Sequence, residues 1–217
     1  GFTLSSSGTI CGNGYSLILD GNLIIPEMSS IKITSSLTIE GNGHTILFDS
    51  FAQLLTDSHS TLTLRNLILK NVTNSSGKSP IAANGTNSKI TLDNVQFALN
   101  DNFYFNMGSL FFHNDVLFSG ENQFIYRSKQ PSYITPKSTL CFDIGSTLFY
   151  SPGNSNQNLI IPQDKSSNLL FNGATLRITP TGMNVSNGKI LFENQSNIDA
   201  GTKITNPSFT IQNINHA

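Results

Sequence analysis

The chain has 217 residues, a formal net charge of −1 at pH 7 and only 12% charged residues. The near-zero charge argues against a nucleic-acid partner, which would require a basic surface. No apolar run approaches the roughly 18 residues needed for a membrane span. About a third of the residues are Asn, Ser or Thr, and strong helix formers are scarce. This composition predicts an all-β protein with a neutral polar surface.

The two cysteines, Cys11 and Cys141, form no C-x-x-C pair and have no histidine at metal-binding spacing. The chain begins without a charged-then-apolar leader, as would follow from removal of a signal peptide or from trimming of the sequence. A composition rich in Asn, Ser and Thr and poor in charge is typical of secreted proteins. We therefore expect an extracellular or cell-surface location.

One pattern recurs along the chain: two apolar residues flank any residue, and Asn or Gly follows about two positions later. In chain order its copies are residues 17–19 with Gly21, 37–39 with Gly41, 62–64 with Asn66, 90–92 with Asn94, 110–112 with Asn114, 169–171 with Gly173 and 190–192 with Asn194. An eighth segment, residues 140–142, has Ile144 in the place of Asn or Gly. The eight segments begin 20, 25, 28, 20, 30, 29 and 21 residues apart.

This period is too short for helical-pair repeats, and the L-x-x-L-x-L frame of leucine-rich repeats is missing. A second alternating run follows the Asn or Gly, as in residues 67–69 and 95–97. Alternation with period two predicts strands with one side inside and the other outside. A sharp corner between strands requires positive φ, which Asn and Gly tolerate. The pattern therefore predicts a solenoid of short strands whose corners stack into one ladder.

Two segments carry a resemblance to a known family. Residues 37–48 (LTIEGNGHTILF) and 62–72 (LTLRNLILKNV) resemble coils of the right-handed parallel β-helix, or pectin-lyase-like, superfamily. The resemblance extends over nearly the whole chain through the repeat. It implies an all-β, single-domain right-handed parallel β-helix of roughly 8–9 coils over residues 1–217.

The resemblance makes polysaccharide cleavage the first enzymatic activity to test. Hydrolases of that fold use clustered aspartates with Gly-His-Gly and Arg-x-Lys, and only the fragment Gly43-His44 is present here. Lyases of that fold need a calcium-binding acidic cluster with a catalytic Arg or Lys. Arg65, Arg127 and Arg177 fall on different predicted coils without such a cluster. We therefore expect no enzymatic activity.

Three acidic residues are a separate catalytic candidate. Glycoside hydrolysis requires two carboxylates roughly 5–10 Å apart, and stacked coils lie about 5 Å apart. Asp93, Asp115 and Asp143 fall near the first corner of successive predicted coils. An acidic stripe is one interpretation, and ordinary turn aspartates are the favoured one. The four histidines show no metal spacing, so we expect no catalytic residue, cofactor or metal ligand.

The repeat also predicts where the core and the loops lie. One interior column should contain an apolar side chain from each of six coils: Leu64, Leu92, Phe112, Phe142, Phe171 and Phe192. Residues 71–88, 120–138 and 151–167 interrupt the pattern with Ser, Asn, Gly and Pro and are predicted as loops along one edge.

Outward aromatic residues of the middle coils form a candidate ligand surface. Tyr104, Tyr126, Tyr133 and Tyr150, with neighbouring phenylalanines, could stack on the sugar rings of surface glycans. This is the alternative function: a carbohydrate-binding or carbohydrate-cleaving β-helix domain of an adhesin or tailspike.

The ends of the solenoid point to the favoured function. A terminal coil exposes strand edges and core unless a polar cap covers it. Strand-like sequence containing Phe2, Leu4 and Ile10 stands at one end, and Phe209 and Ile211 stand at the other. Joining the two ends would build an open filament. We therefore expect a non-enzymatic structural protein that stacks end to end with itself, or a fragment of a longer adhesin whose flanks supply the caps.

Overall fold

A computed structural model describes residues 2–3, 6–72, 79–85, 87–179, 182–200 and 204–205. These residues form short strands joined by turns, and they contain no helix. All strand pairs are parallel, and the sheets stack as a β-solenoid of about eight turns. The prediction of an all-β solenoid is confirmed. The assignment of all 217 residues to one domain stays a prediction.

In chain order the strands are β1 (Phe2–Thr3), β2 (Gly8–Ile10), β3 (Ser16–Ile18), β4 (Leu23–Ile25), β5 (Ser30–Ile33), β6 (Leu37–Glu40), β7 (Thr45–Phe48), β8 (Gln53–Thr56), β9 (Thr61–Lys70), β10 (Ile81–Ala83), β11 (Lys89–Ala98), β12 (Phe103–Phe105), β13 (Leu110–Ser119), β14 (Gln123–Tyr126), β15 (Ser132–Ile134), β16 (Thr139–Phe142), β17 (Thr147–Tyr150), β18 (Ile160–Pro162), β19 (Asn168–Asn172), β20 (Thr175–Ile178), β21 (Met183–Asn184), β22 (Lys189–Glu193), β23 (Asn197–Ala200) and β24 (Ile204–Thr205).

Each turn of the solenoid crosses three faces. Face 1 contains β3, β6, the first halves of β9, β11 and β13, then β15 and β18. Face 2 contains β1, β4, β7, the second halves of β9, β11 and β13, then β16, β19 and β22. Face 3 contains β2, β5, β8 and β10, followed by β12, β14, β17, β20 and β23. The strands β21 and β24 pair with each other.

Alternation along the strands separates the interior from the surface. In β9, for example, Leu62, Leu64, Leu67 and Leu69 are buried, while the residues between them are half-buried or exposed. One apolar cluster of such inward side chains extends from Leu19 to Phe192. Burial of this interior is the main force that holds the turns together.

The single core column predicted from the sequence is wrong, because its members belong to two faces. Leu64, Leu92 and Phe112 are register partners on face 1, and the next partner in that column is Ile134. Phe142 instead pairs with Phe118 on face 2. Both halves of a two-face strand show the same alternation, so residues 140–142 match the pattern of either face. Backbone pairing with β13 assigns residues 140–142 to face 2.

Phe171 and Phe192 continue the face-2 column above Phe142. All six predicted core side chains are buried. The prediction that these six residues point inward is therefore confirmed. The prediction that they form one column is wrong, because three of them belong to face 2.

The corners likewise form two series. Asn66, Asn94 and Asn114, with φ of 51°, 55° and 54°, turn the chain from face 1 to face 2. Gly173 and Asn194, with φ of 65° and 50°, follow face 2 instead. The prediction of positive φ is confirmed at these corners.

Two of the predicted corners differ in detail. Gly21 and Gly41 are not among the residues with positive φ, and Asn42 takes that conformation beside Gly41. At residues 140–145, positive φ occurs at Gly145 rather than at Ile144.

The three predicted loop segments are also corrected. Residues 120–138 contain β14 and β15, so that segment contributes regular strands to face 3 and face 1. Residues 151–167 contain β18, and residues 71–88 contain β10. Ser, Asn and Pro are frequent there because the corners between those strands are longer, which hid the short strands from the sequence pattern.

Both cysteines are free thiols. Cys11 follows β2 in the first turn, and Cys141 lies in β16 in the sixth turn. Five turns at about 4.8 Å each separate them, whereas a disulfide requires Cα atoms within about 7 Å. Burial raises the pKa of the Cys141 thiol to about 11, so this half-buried thiol is neutral at physiological pH.

Candidate functional site

The first turn of the solenoid, β2 to β4, is the outermost turn among the described residues. Its interior forms a cavity of about 180 Å³, which we call the end cavity. The described residues that line the end cavity are all aliphatic: Ile10, Leu17, Leu23, Ile25, Ile31, Ile39 and Leu54. Leu17 lines this cavity and is 40% exposed, and its neighbour Ile18 is 65% exposed. In β3, Leu17 pairs with the inward Ile39 and Ile18 pairs with Glu40, so Ile18 lies on the outer surface of face 1.

Backbone groups of the same turn are also available for pairing. Within the described part of the chain, β2 pairs only with β5 and β3 pairs only with β6. Each strand therefore has one hydrogen-bonded edge and one edge without a partner strand. Such edges readily accept a further strand.

The five residues predicted to support assembly have different outcomes. Ile10 is half-buried and lines the end cavity. Phe2 lies in β1, which pairs with β4 on face 2. Leu4, Phe209 and Ile211 lie outside the described residues. The structure adds Leu17 and Ile18, which sequence analysis treated as members of an ordinary repeat. Their exposure follows from the absence of a described strand on the outer side of β3.

Two of the four tyrosines proposed as an outward ligand surface are inside the solenoid. Tyr126 and Tyr150 are both 0% exposed. Burial raises the pKa of Tyr150 to about 12 and also raises the pKa of Tyr126. The Tyr150 hydroxyl donates to the Asn156 carbonyl at 3.1 Å and accepts from the Leu159 amide at 3.0 Å. These two tyrosines hold the corners that precede β15 and β18 and are buried, so they do not form an outward ligand surface.

Period-two alternation could have placed these tyrosines correctly. Phe124 is inward in β14, so Tyr126, two residues later, must also point inward. The same reasoning from Leu148 applies to Tyr150 in β17.

The other two tyrosines are half-buried and lie on different faces. Tyr104 lies in β12 on face 3, where the Arg127 guanidinium is 4.6 Å from its ring centroid. Tyr133 lies in β15 on face 1 and stacks on Phe111, with ring centroids 5.0 Å apart. The predicted tyrosine patch is therefore not one surface. Tyr133 lines a groove on face 1.

This groove, which we call the face-1 groove, has a volume of about 880 Å³. It is lined by Gly85, Asn87, Ser88, Lys89, Met107, Ser109, Phe111, Gln130, Pro131, Tyr133 and Gln163. Strand residues of β13 and β15 form its floor, and the corners that lead into face 1 form its wall. Lys89 is the charged residue of the lining, and its ammonium lies 5.5 Å from the Phe111 ring centroid.

The three aspartates for which an acidic stripe is one interpretation have separate positions and contacts. Asp93 is 6% exposed, and its carboxylate contacts Arg65 Nε at 2.7 Å and accepts from Asn114 Nδ2 at 2.6 Å. Asp143 accepts from Asn172 Nδ2 at 2.8 Å in the corner after β16. Asp115 is exposed at the start of the face-2 half of β13. The favoured interpretation as turn aspartates agrees with these contacts.

Further searches add no site. Among the described residues, no group of three His, Cys, Asp or Glu side chains could hold a metal ion. That same part of the chain has no helix long and apolar enough to cross a membrane. No family model, curated protein or solved structure matches this chain. The end cavity and the face-1 groove are therefore the candidate functional sites.

Proposed function

We propose that this chain is a non-enzymatic, extracellular structural protein of the right-handed parallel β-helix superfamily, and that its molecules stack end to end. The aliphatic end cavity, and the edges of β2 and β3 that have no partner strand among the described residues, carry this proposal. Leu17 lines the end cavity, and the neighbouring Ile18 stands on the outer surface of the same edge strand, β3. Covering such side chains stabilises an assembly by about 1.5–3 kcal/mol per fully buried aliphatic residue.

The shape of the partner follows from the geometry of the end. The first turn presents two strand edges, from β2 and β3, on different faces around one apolar interior. A partner that pairs with both edges and fills the interior needs the same cross-section as a solenoid turn. The last described turn of another copy, which contains β22 and β23, offers such a cross-section, and the contact surface is predicted around Phe209 and Ile211, which lie outside the described residues. Because the two contact surfaces differ, the association is heterologous and continues into a filament.

The chemistry of the side chains supports a structural rather than a catalytic role. The buried Asp93 is neutralised by Arg65 and hydrogen-bonded to Asn114, so it is not a free acid or base. Asp143 is held in a corner by Asn172. Both carboxylates stabilise contacts between neighbouring turns.

A single charge on β3, an edge strand of the first turn, tests the proposal. Ile18→Lys should leave the fold intact, because Ile18 is 65% exposed. It should weaken self-association about tenfold, since a lysine on an edge strand opposes pairing with a further strand. Sedimentation velocity over a concentration series measures this shift, and negative-stain microscopy shows whether filaments form.

Ile144→Lys is the matched control. Ile144 is 69% exposed and lies in the corner after β16, far from the first turn. This variant should assemble like the wild type. A wild-type protein that stays monomeric at high concentration would overturn the proposal. The end cavity and the edges of β2 and β3 would then be covered by another segment or partner.

A further inference from the structure

We propose that two copies of this chain pack side by side through face 2, with their solenoid axes parallel. The contact is centred on the outer side of β13, β16, β19 and β22, which lie next to one another in the sheet. This surface runs along the side of the solenoid, so the proposal is independent of end-to-end stacking.

A row of outward apolar side chains carries the proposal. We call this row the face-2 stripe, and its members are Leu117, Cys141, Leu170 and Leu191. They are register partners on four adjacent strands, and each is half-buried. Each stands between two buried residues of its own strand, so alternation points it outward. A continuous apolar row at outward positions is typical of a surface that binds another molecule.

The positions on both sides of the stripe are polar. In β19, Asn168 precedes Leu170 by two positions and Asn172 follows it by two. The corresponding residues in β13 are Asp115 and Ser119. An apolar centre with a polar rim is the usual anatomy of a protein–protein interface.

The charges beside the stripe in β22 match a second copy. Lys189 lies two residues before Leu191, and Glu193 lies two residues after it. Neither side chain forms an ion pair with a described residue. A two-fold axis parallel to the solenoid axis places β22 opposite β22 of the second copy, running in the reverse direction. Lys189 then faces Glu193 of the second copy, and the symmetry makes this contact twice.

The same arrangement opposes no like charges along the stripe. In β13, Asp115 faces Ser119 of the second copy, and beside β16, Asp143 faces Thr139 of the second copy. The whole chain has a net charge of only −1, so two copies have little overall repulsion. Electrostatics therefore permits this dimer and favours it at β22.

Face 2 is large enough for a stable dimer. Its strands from β4 to β22 are spaced by about 4.8 Å and present about three outward positions each, which gives a surface of about 35 by 20 Å. Two such sheets packed face to face bury about 1,400 Å² in total, within the range of about 1,200–2,000 Å² for specific interfaces. Antiparallel copies centred on the stripe would overlap only from β13 to β22, so the parallel arrangement buries more.

Two other partners fit this surface less well. The strand β16 is already paired on both sides, with β13 and with β19, so an extended peptide has no strand edge to join. The stripe is one side chain wide and is flanked by charges of both signs, whereas a lipid surface favours a broad apolar face with a basic border. A second copy of the chain remains.

Sedimentation equilibrium tests the proposal in the full chain carrying Ile18→Lys, a background chosen because it should not stack end to end. This protein should form a dimer. Adding Leu170→Lys should weaken the dimer about tenfold or more, since the ammonium would lie against the apolar row of the second copy. Ile161→Lys is the matched control, because Ile161 is also half-buried and outward but lies in the preceding strand, β18, on face 1. It should leave the dimer unchanged.

A charge exchange tests the parallel arrangement. Lys189→Glu should weaken the dimer about tenfold, because it opposes two carboxylates in each of two symmetric contacts. Adding Glu193→Lys should restore association to within about twofold, since the reversed pair again has opposite charges. Within one molecule the two residues are four positions apart on one strand, about 13 Å, so the restoration reports a contact between copies.

Three results would overturn the proposal. The first is a protein that stays monomeric at high concentration in the Ile18→Lys background. The second is an equal effect of Leu170→Lys and Ile161→Lys on the dimer. The third is a charge exchange that does not restore association, which would exclude the parallel arrangement.

Discussion

The phenylalanines of face 2 stack directly on one another from turn to turn. Phe97 and Phe118 have ring centroids 4.4 Å apart, and Phe118 and Phe142 are 5.0 Å apart. Phe171 and Phe192 continue the column at 5.5 and 5.0 Å. Each ring packs between its neighbours, so each contributes both buried area and a stacking energy of about 0.5–1.5 kcal/mol per pair.

A double-mutant cycle tests this column at the residue scale. Phe118→Ala and Phe142→Ala should each lower the free energy of unfolding by about 3–5 kcal/mol. Because the two rings touch, their effects should deviate from additivity by about 0.5–1.5 kcal/mol. Urea denaturation followed by circular dichroism measures both quantities.

Phe112 and Phe171 provide the comparison. They are buried in different columns and different turns. Each single change to Ala should cost a similar amount, but the two effects should add within about 0.5 kcal/mol. Additive effects for the Phe118 and Phe142 pair would contradict the register on face 2.

At the scale of the element, the corners are held by hydrogen bonds that follow the solenoid axis. Asn94 Nδ2 donates to Asn66 Oδ1 at 2.8 Å, and Asn66 Nδ2 donates to Glu40 Oε1 at 3.0 Å. A second series connects Asn194 to Asn172 and Asn172 to Asp143. Asparagine suits these corners for two reasons: it tolerates positive φ, and its amide bonds to the same corner of the next turn.

Substitutions at Asn94 separate the two reasons. Asn94→Gly keeps positive φ accessible but removes the hydrogen bond, so it should cost about 0.5–1.5 kcal/mol. Asn94→Ala loses the hydrogen bond and also adds the left-handed backbone strain of about 1–2 kcal/mol. Thermal or chemical denaturation should therefore rank the wild type above Asn94→Gly, and Asn94→Gly above Asn94→Ala. Equal stability of the two variants would show that φ does not matter at this corner.

At the scale of the whole molecule, stability is expected to vary along the solenoid axis. A turn is stabilised by the two turns that it contacts. The central strands β11 and β13 have partners on both sides, whereas β2 and β3 have one each among the described strands. The first turn also has the exposed Leu17 and Ile18. Local opening should therefore be easiest at that end.

Hydrogen exchange followed by mass spectrometry tests this gradient. In Ile18→Lys, which should not stack end to end, exchange should be slowest in β11, β13 and β16 and fastest in β2 and β3. In the wild type at high concentration, stacking should slow exchange in β2 and β3 specifically. Uniform protection along the chain would contradict the gradient, and unchanged exchange in β2 and β3 would contradict burial of that end.

Local alternation and corner residues were sufficient to predict an all-β solenoid and its inward side chains. Whether a side chain points inward depends on its neighbours two positions away, so Phe112, Phe142 and Phe171 were placed in the core correctly. Tyr126 and Tyr150 were misplaced, although the same alternation contained the answer. Positive φ at corners such as Asn94 was also predictable, because few residue types tolerate it.

Only the tertiary structure decided which faces stack, because register joins residues 21 to 29 positions apart on face 2 through corners of unequal length. Every face shows the same period-two pattern, so residues 140–142 fitted either column until backbone pairing assigned them to β16 above β13. The face-1 groove depends on that same pairing, which brings Phe111 and Tyr133 together and sets the corner residues around them. Register also decides which edges of β2 and β3 have partners among the described strands, because alternation within one strand carries no information about its neighbour.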